Sequence, residues 1–322
     1  MHPLEKRIRN FDGSNFEALA LDIFQFQFKH VPVYRDFCNY SGRTNPTTLE
    51  EIPFLPIHFF KSHGVLVEGV KPETVFKSSG TGGNRSTHFI ASTELYKHTF
   101  RRIYASQIGN PKDQVILALL PNYLEQGESS LVYMVDELIQ DTASEQSGFL
   151  LNEYDEIVDR YRKALNSNKQ VVIFGVSYAL LDLAERSPDL AKAIIIETGG
   201  MKGRRKEMTK AELHHFLKRG LNCTHISSEY GMTELLSQGY SRKDGLFVPG
   251  STMKVLIREV NDPYNYVRNR KTGGINIIDL ANLYSCSFVE TQDLGKLHEM
   301  GFEIMGRFDH SDVRGCNLMI GQ

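Results

Sequence analysis

The sequence predicts an α/β protein in which mainly parallel sheets are flanked by helices and a small β subdomain follows. Between residues 92 and 230, short apolar runs that end in polar loops alternate with segments of helical periodicity. After about residue 250, closely spaced apolar runs separated by turn residues are typical of antiparallel strands. No internal repeat, low-complexity segment or flexible linker interrupts this pattern.

The first part of the chain predicts helical and extended segments. Ser14-x-x-Glu17 is a capping-box pattern, and apolar residues at near-helical spacing after it predict a helical segment over 14–37. Two prolines in "EIPFLPIHFF" (51–60) favour an extended chain that leads to a strand near "GVLVEGV" (64–70). The glycine-rich stretch that comes next is therefore expected to follow extended structure.

Alternating helices and strands are predicted in the middle of the chain. Residues 92–108 are typical of a helix that ends at Gly109. Continuous apolar runs predict buried strands at 114–120, 170–176 and 191–200. Thr209-x-x-Glu212 predicts a capped helix that ends at Gly220, and "CTHISSEYGMTE" after it begins apolar and turns polar, as a strand that runs into a loop does.

Composition and charge exclude several classes of function. Hydrophobic residues make up 41% of the 322 residues, and 37 basic against 39 acidic side chains give a formal charge of −2. This balance argues against a nucleic-acid or membrane-surface role that depends on bulk charge. No segment has the apolar length of a signal peptide or a transmembrane helix, so a cytoplasmic protein without a membrane partner is expected.

The cysteines are spaced too widely for a metal or disulfide framework. Cys38, Cys223, Cys286 and Cys316 form no C-x-x-C pair. Reduced thiols are expected, and a free cysteine usually behaves as a small buried hydrophobic residue.

The stretch "FKSSGTGGNRSTH" (76–88) contains three glycines and five hydroxyl side chains. Glycine lets the backbone approach closely, and successive N–H groups and hydroxyls can surround a phosphate. An ordinary turn or linker has a similar composition, so both interpretations stay open. The Walker pattern is absent because Asn84-Arg85, not a lysine, follows Gly83, and this excludes a P-loop NTPase.

Three polar loops, 78–87, 197–203 and 227–234, follow predicted strands. Ligands of open α/β sheets collect beyond the carboxyl ends of the strands. In the third loop, Tyr230, Thr233 and Glu234 could stack a base, bind a phosphate and hold Mg²⁺. The structural alternatives are a packed loop aromatic for Tyr230 and a charge at a helix N-terminus for Glu234.

Five segments in order carry a resemblance to a known family: "SSGTGG", "ETGGMKG", "YGMTE", "TQDLG" and "GRFDHSDVRGCN". They resemble the signatures of the adenylate-forming, acyl-CoA synthetase-like superfamily, and among its members the acyl-protein synthetases of the LuxE type. The resemblance implies the large N-terminal-type domain of these enzymes, with a nucleotide- and acyl-binding core over 1–249 and a β subdomain over 250–322. The mobile C-terminal domain of most members is expected to be absent.

The resemblance implies ATP and Mg²⁺ as cofactors and assigns a role to each matching residue. The β- and γ-phosphates would be cradled by Ser78, Ser79, Gly80, Thr81, Gly82 and Gly83. Tyr230 would lie against one face of the adenine, and Gly199 and Gly200 would line the other face of the adenine. Thr233 would bind the α-phosphate, and Glu234 would bind Mg²⁺.

Two further residues match the family at the ribose. Asp293 would bind the ribose hydroxyls, and Arg307 the ribose or a phosphate; a turn residue and a surface charge are the structural alternatives. The glycine-rich loop departs from the family because it lacks the usual lysine, and Arg85 is the candidate substitute.

Cys316 matches the cysteine near the C-terminus that accepts the acyl group in the LuxE type. The thiolate is the nucleophile, and neighbouring Arg314 could favour it; the alternative is a packing residue of a terminal strand. The function expected is ATP-dependent activation of a small carboxylic acid, in particular a fatty acid, with transfer to a protein or carrier thiol. An acyl-accepting or reductase protein is the expected partner, and an acyl- or aryl-CoA ligase and a non-catalytic ATP-binding subunit are the alternatives.

Overall fold

A computed structural model describes residues 1–79, 85–120, 127–199, 208–243, 245–267 and 271–308. The helices of these residues are α1 Pro3–Arg9, α2 Phe16–His30, α3 Pro32–Ser41, α4 Phe59–Ser62, α5 Thr93–Gln107, α6 Ser130–Asp141, α7 Tyr154–Leu165, α8 Ser177–Glu185 and α9 Lys210–Gly220. Short 3₁₀ helices cover Leu49–Glu51, Pro111–Asp113 and Leu280–Asn282.

The strands fall into one large mixed sheet and a separate hairpin. They are β1 Leu55–Pro56, β2 Thr74–Lys77, β3 Thr87–Ile90, β4 Gln114–Leu119, β5 Gly148–Phe149, β6 Gln170–Val176, β7 Ile194–Thr198, β8 Ser227–Tyr230, β9 Gly239–Ser241, β10 Leu246–Pro249, β11 Met253–Arg258, β12 Gly273–Asp279, β13 Phe288–His298 and β14 Gly301–Arg307. The order in the large sheet is β11-β12-β13-β14-β10-β9-β8-β7-β6-β4-β5, with β1 beside β13. Strands β2 and β3 pair only with each other within the described residues.

The direction of the strands changes along this sheet. Neighbours from β5 to β8 are parallel, and from β8 through β11 each pair is antiparallel. The parallel part is buried on both faces, as the six buried residues of β4 show. The α/β fold class with antiparallel strands after residue 250 is thereby confirmed.

Hydrophobic side chains form two clusters. The first lies around β4, β6 and β7 and the helices α5–α9, and the second packs residues of 4–67 against strands of 247–302. In the second cluster the Phe288 ring stacks on Tyr34 of α3 with centroids 5.9 Å apart, so the first helices cover the antiparallel strands. The division into 1–249 and 250–322 stays a prediction.

Several sequence predictions are confirmed at the level of single elements. Helix α5 and strands β4, β6 and β7 fall where the apolar patterns placed them. Thr209 and Glu212 form the predicted capping box of α9, with a 3.2 Å bond from the Glu212 N–H to the Thr209 hydroxyl. Cys38, Cys223 and Cys286 are free and buried, as expected for reduced thiols.

Two predictions near the N-terminus are wrong. No strand forms over 64–70; Val65 and Val67 are buried there, and the Val67 N–H bonds the distant Tyr284 carbonyl at 2.9 Å. The Ser14 capping box does not form either, because the Ser14 hydroxyl bonds Asp12 at 2.6 Å and Glu17 accepts the Leu49 N–H at 3.3 Å. Among the described residues, no helix combines the length and apolarity needed to span a bilayer.

Candidate active site

The carboxyl ends of the parallel strands β7 and β8 bring two predicted site residues together. Thr198 of β7 pairs with Glu229 of β8, so Gly199 and Tyr230 come next to each other at this edge of the sheet. Gly199 is exposed, and a Cβ atom placed on it would meet no atom within 4 Å. The edge therefore leaves open space over bare backbone, which suits a flat ring.

Tyr230 is both a packed aromatic and a hydrogen-bond donor. Its ring lies against Phe302 and Phe247, with centroids 5.4 Å and 5.9 Å away, and only 8% of the residue is exposed. Its hydroxyl donates to Asp293 Oδ2 at 2.8 Å. Burial and the neighbouring Asp293 carboxylate raise the pKa of Tyr230 well above its usual value, so the hydroxyl stays a donor.

Asp293 lies inside strand β13, which excludes the turn role considered for it. It is paired across the strands with Arg307 of β14, whose Nε donates to Asp293 Oδ1 at 3.0 Å. The carboxylate is almost fully buried, whereas 76% of the Arg307 side chain is exposed. Each carboxylate oxygen thus has one donor and keeps lone pairs that hydroxyl groups of a ligand can use.

Replacing Asp293 with alanine is expected to weaken ATP binding by about 1–3 kcal/mol, because polar partners in the site lose their acceptor. Calorimetric titration of the folded variant with ATP and Mg²⁺ measures this change. Asp262→Ala is the matched control, since Asp262 is an exposed turn residue whose side chain accepts the Tyr264 N–H at 2.9 Å. Equal ATP affinity in wild type and Asp293→Ala would remove Asp293 from the nucleotide site.

Glu234 lies beside this cluster in the loop after β8. Only 5% of the residue is exposed, and the Ser86 hydroxyl and Arg307 are both close enough to lower the pKa of its carboxyl group. Burial raises the pKa of Glu234, and the Ser86 hydroxyl opposes this only in part. A cation that arrives next to this carboxylate would relieve the cost of its buried charge.

Magnesium fits this arrangement. The described residues include no group of three or more histidines, cysteines or acidic residues placed to hold a metal ion by themselves. Mg²⁺ commonly takes one or two protein carboxylates and completes its ligands with substrate phosphates and water. Glu234 can supply that carboxylate, while phosphates of a nucleotide supply the rest.

The base of the glycine-rich loop is closed by two serines. The Ser78 N–H donates to the Ser86 carbonyl at 3.0 Å, and the Ser86 N–H donates to the Ser78 hydroxyl at 2.9 Å. Ser79 follows as an exposed residue. Because the Ser78 oxygen is used as an acceptor, its O–H remains free to donate to a phosphate.

Arg85 bonds across the base of the same hairpin. Its Nε donates to the Ser78 carbonyl at 2.5 Å, and its guanidinium pairs with Glu128 at 3.3 Å. Lys77 makes a second ion pair with Glu128. Basic side chains therefore stand at the base of the loop, and the assignment of Arg85 to the phosphates stays a prediction.

Other predicted site residues lie outside the described residues, and their roles stay predictions. They are Gly80, Thr81, Gly82, Gly83, Gly200 and Cys316.

Sequence reasoning missed a buried ion pair behind the site. Glu197 of β7 accepts bonds from Lys210 Nζ at 2.7 Å, Ser177 at 2.7 Å and Ser228 at 3.0 Å. Burial raises the pKa of Glu197, but the nearby His214 ring, 3.9 Å away, and the Lys210 ammonium, 2.7 Å away, outweigh burial and lower it to about 2. The available signal was a glutamate at the end of the apolar run "AIIIET".

Comparison with known proteins identifies the family of this chain. The chain matches the family model "Acyl-protein synthetase, LuxE" over residues 8–322. A long-chain-fatty-acid–luciferin-component ligase of Photorhabdus luminescens is 35% identical over 72 residues, which are 22% of this chain and 62% of that protein. The match thus spans less than two thirds of that curated relative's length.

Solved structures agree on the fold. ATP-bound MatB from Rhodopseudomonas palustris aligns with a TM-score of 0.55 and 17% identity, over 72% of this chain and 47% of that one. A 2-hydroxyisobutyryl-CoA ligase in complex with 2-HIB-AMP and CoA aligns with a TM-score of 0.68 and 14% identity, over 95% and 71%. The predicted fold of the adenylate-forming enzymes is thereby confirmed, and the chain belongs to the LuxE family of acyl-protein synthetases.

Proposed function

We propose that this protein activates a carboxylic acid, in particular a fatty acid, as an acyl-adenylate and passes the acyl group to a thiol. The observation that carries the proposal is the hydrogen-bonded Tyr230–Asp293–Arg307 chain beside Glu234, at the edge where the parallel strands end. Membership of the LuxE family supports the same reaction class.

In the first step, a carboxylate oxygen of the acid attacks the α-phosphorus of ATP, and the bond to the pyrophosphate oxygen breaks. Both reactants are anions, so the protein must orient them and offset their repulsion. Asp293 would hold the ribose and Thr233 the α-phosphate, while the loop from Ser78 to Gly83 would hold the departing phosphates. Mg²⁺ on Glu234 would neutralise charge that develops on those oxygens.

In the second step, a thiolate attacks the acyl carbon and AMP leaves. Cys316 is the proposed first acceptor, and an acyl-accepting or reductase protein would take the group from it. Intact-protein mass spectrometry after incubation with ATP, Mg²⁺ and a series of fatty acids tests this step. A mass increase equal to one acyl group supports the proposal, whereas acyl-CoA formed only when CoA is present would indicate an acyl-CoA ligase.

Replacing Cys316 with serine is expected to separate the two steps. Adenylation needs only phosphate handling and positioning, so ATP–pyrophosphate exchange should continue at the wild-type rate. Acyl labelling that hydroxylamine removes should be lost, because the thiolate is gone. Cys223→Ser is the matched control, since Cys223 is a buried thiol of the first hydrophobic cluster. This substitution should leave both activities unchanged. Labelling of the Cys316→Ser protein at another thiol would reject Cys316 as the acceptor.

A further inference from the structure

We infer that His88 is a positioning residue that holds the Thr233–Glu234 segment against the hairpin bearing the glycine-rich loop. The inference rests on the proposed function. The bond from His88 would keep Thr233 and Glu234, proposed for the α-phosphate and Mg²⁺, aligned with the glycine-rich loop proposed for the β- and γ-phosphates. His88 ends the glycine-rich stretch 76–88, yet no step of the proposed reaction uses it.

One hydrogen bond fixes the role of the imidazole. His88 is 1% exposed, and its Nδ1 lies 2.8 Å from the Thr233 carbonyl oxygen. A carbonyl oxygen can only accept, so Nδ1 carries the hydrogen and donates it. Burial lowers the pKa of His88 to about 4, which keeps the ring neutral at physiological pH.

The other ring nitrogen carries no comparable bond. His88 Nε2 is buried without a hydrogen-bond partner among the described residues, and the ring otherwise packs edge-on against Phe60 with centroids 5.6 Å apart. The hydrogen bond of good geometry is therefore the one at Nδ1, while the Asn282 side chain lies close enough to the ring to oppose the lowering of its pKa by burial. This difference between the two nitrogens can be tested by substitution.

His88 acts on the loop together with a neighbour on the same strand. Ser86 and His88 are two residues apart in extended chain, so their side chains point to the same side of the hairpin. The Ser86 hydroxyl lies close enough to the Glu234 carboxyl group to lower its pKa, and His88 bonds the carbonyl of the preceding residue, Thr233. Both contacts tie the hairpin to the same two residues.

Side chains from the end of β12 and from the 3₁₀ helix that follows it hold the other side of this loop. Asn282 Nδ2 donates to the Glu234 carbonyl at 2.7 Å, and Asp279 accepts the N–H groups of Leu236 and Ser237 at 2.7 Å and 2.9 Å. The loop from 231 to 238 has no helix or strand to pair its backbone, so these side chains take that role. His88 supplies a matching hydrogen bond from the hairpin side of the loop.

Two substitutions separate positioning from packing. In His88→Asn the amide nitrogen can take the place of Nδ1, whereas in His88→Gln it reaches only to the place of Nε2. His88→Gln is expected to lower kcat of ATP–pyrophosphate exchange roughly tenfold or more, with a smaller change in KM for MgATP, because misplaced groups act at the reacting phosphate. His88→Asn is expected to stay within about threefold of wild type.

A matched control comes from another histidine that bonds a backbone carbonyl. His98 Nε2 lies 2.9 Å from the Arg9 carbonyl oxygen, so this bond joins α5 to the end of α1 and does not hold the 231–238 loop. His98→Asn and His98→Gln should both leave exchange kinetics unchanged. Equal losses in His88→Asn and His88→Gln that follow their melting temperatures would show a packing role and overturn the inference.

A second measurement does not depend on activity. Amide hydrogen exchange of a peptide covering 231–238, followed by mass spectrometry, reports how firmly the loop is held. The peptide should exchange faster in His88→Gln than in wild type and at the wild-type rate in His88→Asn. If His88→Gln keeps the wild-type protection of this peptide, the inference is overturned whatever the activity. If the wild-type protein activates no acid but the expected differences in amide exchange are found, only the proposed function is overturned.

Discussion

Replacing Glu234 with glutamine is expected to lower carboxylate-dependent ATP–pyrophosphate exchange by on the order of 10²–10³-fold, the scale seen when one electrostatic contact to a reacting group is removed. A hard cation between phosphates needs an anionic oxygen, and glutamine offers only a neutral one. Initial rates at saturating MgATP measure the effect.

The same substitution should leave the fold intact. Burial raises the pKa of Glu234, so its ionised form costs stability in the folded protein, and glutamine removes that cost. The melting temperature of Glu234→Gln should therefore equal or exceed that of wild type. For the same reason, wild-type exchange should decline as the pH falls through this raised pKa. Unchanged exchange in the variant would reject Glu234 as the Mg²⁺ ligand.

The second large effect concerns Glu197. Its pKa is lowered from 4.5 to about 2 in the folded protein, so its contribution to stability is fully present above about pH 4.5 and is lost as the pH falls toward 2. The stability of wild type relative to Glu197→Gln should therefore fall by about 3 kcal/mol across this interval. Denaturant unfolding of both proteins at several pH values measures the difference.

The comparison of the two proteins is needed because other buried carboxyl groups act in the opposite direction. Burial and the nearby Glu197 raise the pKa of Glu229 to about 8, so its contribution to folding grows as the pH falls from about 8 to 4.5 and is constant below that range. Glu212→Gln is a suitable control, since Glu212 caps α9 at the surface next to Lys210. A constant difference between wild type and Glu197→Gln from pH 5 to pH 2 would show that Lys210 and His214 do not hold Glu197 ionised.

Local patterns were sufficient for the parallel half of the fold. Strands β4 and β6 are continuous apolar runs because both faces of a parallel sheet are covered, and such runs need no tertiary information. The stretch 64–70 looks similar in sequence, but its backbone forms a loop, and Val65 and Val67 are buried as members of the second hydrophobic cluster. Its backbone bonds to a residue more than 200 positions away, which no local pattern reports.

Some residues of the site were predictable from the sequence, but the hydrogen bonds between them were not. The order of the motifs indicated Tyr230, Asp293 and Arg307, and the structure joins them in one hydrogen-bonded chain. The Tyr230–Asp293 bond links positions 63 residues apart along the chain and the Asp293–Arg307 bond positions 14 apart, and helix or strand periodicity has no information on either. His88 and Glu197 were missed because each is explained by tertiary partners, the Thr233 carbonyl and the Lys210 ammonium.

The central claim is that this site joins a carboxylic acid to the α-phosphate of ATP. Exchange of labelled pyrophosphate into ATP, measured with purified protein, Mg²⁺ and saturated fatty acids of graded chain length, tests it most directly. We expect exchange that requires both Mg²⁺ and a fatty acid and that is lost in Glu234→Gln. Saturable ATP binding without exchange, for every carboxylic acid supplied, would contradict the account and leave a nucleotide-binding subunit instead.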